Sequence, residues 1–316
     1  MTGAQPTAAW TNRKLLAWMT GAFEDRDLDA PRRQAEMLLA HVIGAERLKL
    51  YMDPERPAAP LELDALRGLV KRALNDEPIQ YLVGEEHFFG MTFKVDKRVL
   101  IPRPSTQTIV ETVLQHSRKN PDAGSVRDSD AGAGILIADV CTGSGCIASA
   151  LARHLPGARI VATDISADAL EVARENIGMH GLDERVDLLE GDLLEALRSH
   201  PVAAREGSLR YLCSNPPYIP DHEWDAVEPN VRDHEPELAL RAGSDGLDLI
   251  RRLIDAGPAF VEPGGLMLIE LAASHAGDAL ALAQLHPELE YERVLKDSDG
   301  LDRVLVAERA RARSSG

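Results

Sequence analysis

The chain has 316 residues, 44% hydrophobic and 27% charged, a balance that suits a globular protein and excludes collagen, coiled coil or wholesale disorder. Its 35 basic and 51 acidic side chains give a formal net charge of −16, which repels phosphate backbones and argues against direct nucleic-acid binding. No apolar run approaches the roughly 18 residues that span a bilayer, and the start of the chain lacks the basic and apolar segments of a signal peptide, so a cytoplasmic chain with no membrane contact is expected.

Residues 1–84 read as a small helical bundle. A first helix covers residues 12–21 and carries Trp18. Pro31 opens a second, whose face of Ala35, Leu38, Leu39, Val42 and Ile43 ends at Gly44. Residues 54–60 are Pro-rich and read as a connector. Leu66, Leu69, Val70, Ala73 and Leu74 then recur at helical spacing, with Arg67, Lys71 and Arg72 between them. Residues 85–104 are expected to be a β-hairpin linker, with strands over 88–95 and 99–101 turning at Asp96-Lys97-Arg98. Pro102-Arg103-Pro104 ends it, a helix follows over 106–116, and residues 117–134 read as a mobile surface insertion.

The remainder of a third segment, 105–316, alternates strand and helix. Apolar strands are expected over 135–140, 158–163, 186–189, 209–213 and 266–271, with helices over 146–154 and 167–180. This is the pattern of an α/β domain with a mostly parallel sheet covered on both faces. Segments 291–295 and 303–306 suit an antiparallel hairpin at the sheet edge.

Three cysteines, Cys141, Cys146 and Cys213, show no C-x-x-C spacing, and the ten histidines form no H-E-x-x-H, so neither a disulfide framework nor a metal is expected. Chemistry instead gathers at strand ends. After the first strand of the sheet comes Cys141-Thr142-Gly143-Ser144-Gly145, a turn whose glycines let a ligand approach the backbone ahead of a helix N-terminus. The second strand ends at Asp164, about 20 positions on, where a carboxylate can accept both hydroxyls of a ribose. After the third strand, Asp192 can accept the amino hydrogens of an adenine and Leu193 can lie against its ring. Any one of these fits an ordinary turn or helix cap; together they favour a nucleoside.

The fourth strand ends in Asn215-Pro216-Pro217-Tyr218. The prolines stiffen the backbone. The stretch offers two acceptors, the Asn215 amide oxygen and the Pro216 carbonyl, and one ring, Tyr218. That set suits a planar NH2 group whose nitrogen is aimed at an electrophile, which is catalysis by positioning. A glutamine amide and an adenine amino group both qualify, and the negative net charge weighs against the nucleic acid. A nucleoside-binding module with a vestigial site is the non-enzymatic alternative.

These residues, with 78–81, 88–90, Val99-Leu100-Ile101-Pro102-Arg103-Pro104, Glu235-Pro236 and Gly300-Leu301-Asp302-Arg303-Val304, resemble the HemK-type release-factor glutamine methyltransferases. The resemblance implies a helical bundle for substrate docking, a β-hairpin linker and a Rossmann-like methyltransferase domain. It implies a monomer using S-adenosylmethionine, held by Cys141 to Gly145, Asp164, Asp192, Leu193 and Asn215. Asn215 to Tyr218 would grip the glutamine of the Gly-Gly-Gln loop of class-I release factors. Related enzymes that methylate a ribosomal protein share much of the catalytic domain. Two departures stand out: Cys141 where the family usually has Gly, expected to crowd the cofactor slightly, and Ser105, expected to remove a carboxylate from the pocket rim.

Overall fold

A computed structural model describes residues 9–120 and 134–311. They fall into two units. The first holds residues up to 85 together with 228–234, a segment that nothing in the sequence marks out from its neighbours. Its helices are α1 (Asn12–Glu24), α2 (Pro31–Ile43), α3 (Arg47–Met52), α4 (Pro60–Ala73) and α5 (Ile79–Val83). In chain order, the single turn α9 (Pro229–Arg232) belongs here too. Leu15, Leu16, Met19 and Phe23 of α1, Leu38 and Leu39 of α2, and Leu66 and Val70 of α4 form one apolar core. Gly44 ends α2 with φ of 62°, a conformation that favours glycine. Pro60 opens α4, and Glu62 reaches back to accept the Ala59 N–H at 2.8 Å. The short α3 and α5 escape sequence reading because one turn shows no periodicity.

The second unit begins at Glu86, within the hairpin of β1 (Glu85–Phe88) and β2 (Met91–Lys94). Its turn is not at Asp96-Lys97-Arg98 as the sequence suggests. Phe89 and Gly90 have φ of 49° and 74°, the two positive values that a tight two-residue hairpin needs. The polar trio instead makes a separate turn, in which the Val99 N–H reaches the Asp96 carbonyl at 3.0 Å. Residues 99–101 form no strand.

Next come α6 (Gln107–Lys119), β3 (Ile135–Val140), α7 (Cys146–His154), β4 (Ala158–Asp164), α8 (Ala167–Met179), β5 (Val186–Glu190) and β6 (Leu209–Ser214). Then follow α10 (Asp248–Ala256), β7 (Val261–Glu270), α11 (Ala276–Leu285), β8 (Leu289–Lys296) and β9 (Asp302–Arg309). The insertion expected over 117–134 starts later, since α6 runs on to Lys119; residues 121–133 lie outside the described residues. The sheet order is β5-β4-β3-β6-β7-β9-β8, parallel through β7 and antiparallel in the last two strands. Apolar residues cover both of its faces, in two separate clusters. The order reverses direction between β3 and β6, which is where open α/β sheets leave a crevice beyond the strand ends. Among the described residues no helix is long and apolar enough to cross a membrane.

Candidate active site

The glycine loop leaves β3 through three residues of positive φ: Cys141 at 61°, Gly143 at 54° and Gly145 at 77°. A cysteine in this left-handed region costs on the order of 1–2 kcal/mol, which explains why glycine suits position 141. Beneath the loop Asp139 is fully buried. Its Oδ2 accepts from Thr142 Oγ1 at 2.6 Å and from the Ala148 N–H at 3.0 Å, so one carboxylate ties the loop to the first turn of α7. Burial pushes its pKa up to about 7, against the pull of those two hydrogen bonds. Gly145 stands apart from the ligand side. A Cβ there would lie 3.3 Å from that of Ala173, so its role is the close approach of α7 and α8.

Asp164 ends β4 and accepts from the Gly143 N–H at 2.8 Å and the Ser166 N–H at 3.0 Å. Burial raises its pKa, opposed by those backbone donors. Ser166, not Asp164, caps α8, accepting from the Ala169 N–H at 3.2 Å. Asp192 follows β5, with Oδ2 held by Arg252 Nη2 at 2.6 Å. Leu193, buried, has φ of 48°. Gly191 before them has no room for a side chain, since a Cβ would come within 2.9 Å of that of Ala196.

At the end of β6, Ser214 Oγ donates to the Val140 carbonyl at 2.8 Å, pinning this strand to β3. Asn215 is half-buried and its Nδ2 donates to Thr106 Oγ1 at 3.2 Å. Pro216 and Pro217 are buried and Tyr218 is half-buried. Burial pushes the Tyr218 phenol up to about 12, with the Glu270 carboxylate nearby acting in the same direction.

These strand ends surround a cavity of about 1050 Å³, counting the space open to solvent. Cys141, Thr142, Gly143, Ser144, Asp164, Asp192, Leu193, Asn215 and Pro217 all line it. Gly145, Pro216 and Tyr218 do not. The walls also include Leu100, Pro102, Arg103, Thr106, Leu238 and Leu249, which local chemistry in the sequence did not mark. The only trace of them was in the Pro-Arg-Pro and Glu-Pro stretches. Their link is Glu235, which binds the Arg103 guanidinium and accepts the Ile101 N–H at 3.0 Å. Ser105 is not on the rim. Its hydroxyl donates to Glu270 Oε1 at 3.1 Å, so a carboxylate is present behind the pocket, supplied by β7.

A mostly parallel seven-stranded sheet with an antiparallel edge, opening through a glycine loop onto this cavity, defines a Rossmann-like methyltransferase domain. Residues 14–84 match the family described as the PrmC N-terminal domain, and residues 137–234 match a methyltransferase domain. The release factor glutamine methyltransferase of Chlorobaculum tepidum is 42% identical over 94% of this chain and 96% of its own. That of Geobacter sulfurreducens is 38% identical over the same shares, 94% and 96%. The chain belongs to the release factor glutamine methyltransferase family.

Proposed function

We propose that the protein transfers a methyl group from S-adenosylmethionine to the side-chain amide nitrogen of a glutamine in a class-I release factor, that of the Gly-Gly-Gln loop. When bound, S-adenosylmethionine supplies an electrophilic methyl on a sulfonium. The cavity suits such a group. Open space faces Gly143, with nothing within 4 Å of where its Cβ would be, and Asp164 keeps lone pairs beyond those used by Gly143 and Ser166. Asp164 would take the ribose hydroxyls, and Asp192 the adenine amino group through the oxygen that Arg252 leaves free. Leu193 would lie against the ring, and the backbone of Cys141 to Gly145 would follow the amino-acid end.

The carrying observation is the state of Asn215. With Nδ2 committed to Thr106, Oδ1 is the end of the amide left for a ligand. Asn215 Oδ1 and the Pro216 carbonyl accept the two N–H hydrogens of the target glutamine, and Tyr218 backs the stretch. The amide nitrogen is a poor nucleophile, because its lone pair is delocalised into the carbonyl. Holding both hydrogens aims it, and the same acceptors stabilise the positive charge it gains. Asn215→Ala is expected to slow transfer on the order of 10²-fold or more, the scale of one preorganised contact. Single-turnover rates at saturating cofactor separate this from weaker binding; a near-normal rate would mean the amide is held elsewhere.

The helical unit is assigned to recognition of the release factor. It carries exposed Leu48 and Met52, and the edge-on pair Trp10 and Trp18, each about 40% exposed.

A further inference from the structure

Behind Asn215 lies a second polar layer. Thr106, which accepts from Asn215 Nδ2, is buried one residue before α6. Its hydroxyl lies near enough to the carboxylate of Glu270, the last residue of β7, to pull that group's pKa down, although no hydrogen bond closes between the two. Ser105 Oγ donates to the same carboxylate, and Oε2 closes no hydrogen bond of its own. Glu270 is completely buried. Burying a carboxylate is costly unless it is fully paired, and hydroxyl contacts alone could be met by a neutral amide. A carboxyl group at this position therefore calls for a reason.

We propose that Glu270 is a positioning residue for methyl transfer, acting through Thr106 to hold the Asn215 amide with Oδ1 toward the target glutamine. The proposal rests on the reading that Asn215 accepts the target N–H. A threonine hydroxyl has one hydrogen, and an ionised carboxylate only accepts. Beside Glu270 the Thr106 hydrogen is drawn to the carboxylate, so the lone pairs of Oγ1 face Asn215, which must answer with Nδ2. A group at 270 that also donates removes that constraint. Thr106 can then accept from it and donate to Asn215 Oδ1, which turns the amide round. Asn215 would then offer an N–H to an N–H, and the target would be repelled.

Glu270→Gln keeps the shape and adds a donor. With the full-length enzyme, S-adenosylmethionine and a class-I release factor, its single-turnover rate should fall roughly tenfold or more, with cofactor affinity within about twofold of wild type. Thr106→Val should fall in the same way, and Thr106→Ser should recover most of that loss. This pair tests the idea even if Glu270→Gln does not fold. Acid should reproduce the defect. Burial raises the Glu270 pKa, against the hydroxyls of Thr106 and Ser105 and the positive charges of Arg303 on β9 and Arg103 before α6. Tyr218 after β6 and the Cys146 thiol at the start of α7 also face it. The transfer rate should therefore drop as pH falls through a range above that of an ordinary carboxylate, and Glu270→Gln should lack that limb. A normal rate in Glu270→Gln, or equal losses in Thr106→Ser and Thr106→Val, would overturn the proposal. If Asn215→Ala itself transfers at the normal rate, the reading beneath it fails instead.

Discussion

Glu36 of the helical unit and three carboxylates of the sheet unit are treated in opposite ways. In the helical unit, burial would raise the pKa of Glu36, but hydrogen bonds from Tyr51, Arg47 and Arg32 outweigh it and hold the group below its ordinary value. Arg47 Nη2 sits 2.8 Å from Glu36 Oε2. In the sheet unit, Asp139, Asp164 and Glu270 are all raised, with burial as the largest cause in each. Asp139 and Glu270 each keep one oxygen without a closed hydrogen bond. A fully paired carboxylate stabilises and has nothing left to give. The under-satisfied ones lie just behind residues that line the cavity, Asp139 beneath the glycine loop and Glu270 behind Thr106. Backbone strain differs in part, although Phe89 and Tyr291 of the sheet unit also lie away from the cavity. Positive φ in the helical unit falls at turns and helix ends, such as Asp27, Ala30 and Asp76, whereas Cys141 and Leu193 line the cavity.

This contrast can be broken at Asp139 first, where the largest effect is expected. Its folded pKa of about 7 lies above the unfolded value of about 3.9, so between these the folded state holds a proton that the unfolded state releases. Stability from this group is fully present below about pH 4 and is lost by about 1.4 kcal/mol per pH unit as pH rises to about 7, then levels off. Asp139→Asn should remove the slope. Urea unfolding at about pH 5 and about pH 7 should therefore show wild type losing about 2 kcal/mol relative to the variant. Parallel behaviour would mean that the carboxylate is better satisfied than its partners suggest.

A smaller effect is expected at Asp164. Replacing it with Ala should weaken S-adenosylmethionine binding by about 1–3 kcal/mol through lost charge-assisted hydrogen bonds. Titration calorimetry reads this directly, and unchanged affinity would place the ribose elsewhere. The smallest effect on cofactor affinity should come from removing the helical unit. If the truncated chain stays folded, it should bind cofactor as before and methylate the intact release factor poorly. Full activity would leave that unit a stabilising role only.

How much of this was legible depends on the kind of signal. The strands β3, β4 and β6 stood out because strands buried on both faces read as short apolar runs. The glycine loop, Asp164 and Asn215 were legible because each sits where an apolar run stops. The hairpin turn was misplaced because Asp96-Lys97-Arg98 has turn composition, while Phe89 reads as strand and yet takes φ of 49°. Phe88 and Phe93, buried on either side of that turn, pack edge-on at 6.2 Å. Thr106 and Glu270 were illegible for another reason. Each looks like an ordinary element end, and only the pairing of β7 beside β6 brings Glu270 behind Asn215. Long-range juxtaposition of this sort leaves no local pattern to read.

Methyl transfer to a glutamine amide at this rim can be read out on the release factor itself. The most direct measurement incubates the purified protein with methyl-labelled S-adenosylmethionine and a class-I release factor, and maps the label by mass spectrometry. The expected result is a single methyl on the side-chain nitrogen of the Gly-Gly-Gln glutamine, absent when Asn215→Ala replaces the wild type in the same time window. Label on another residue type, or on adenine when nucleic acid is offered in competition, would contradict the account.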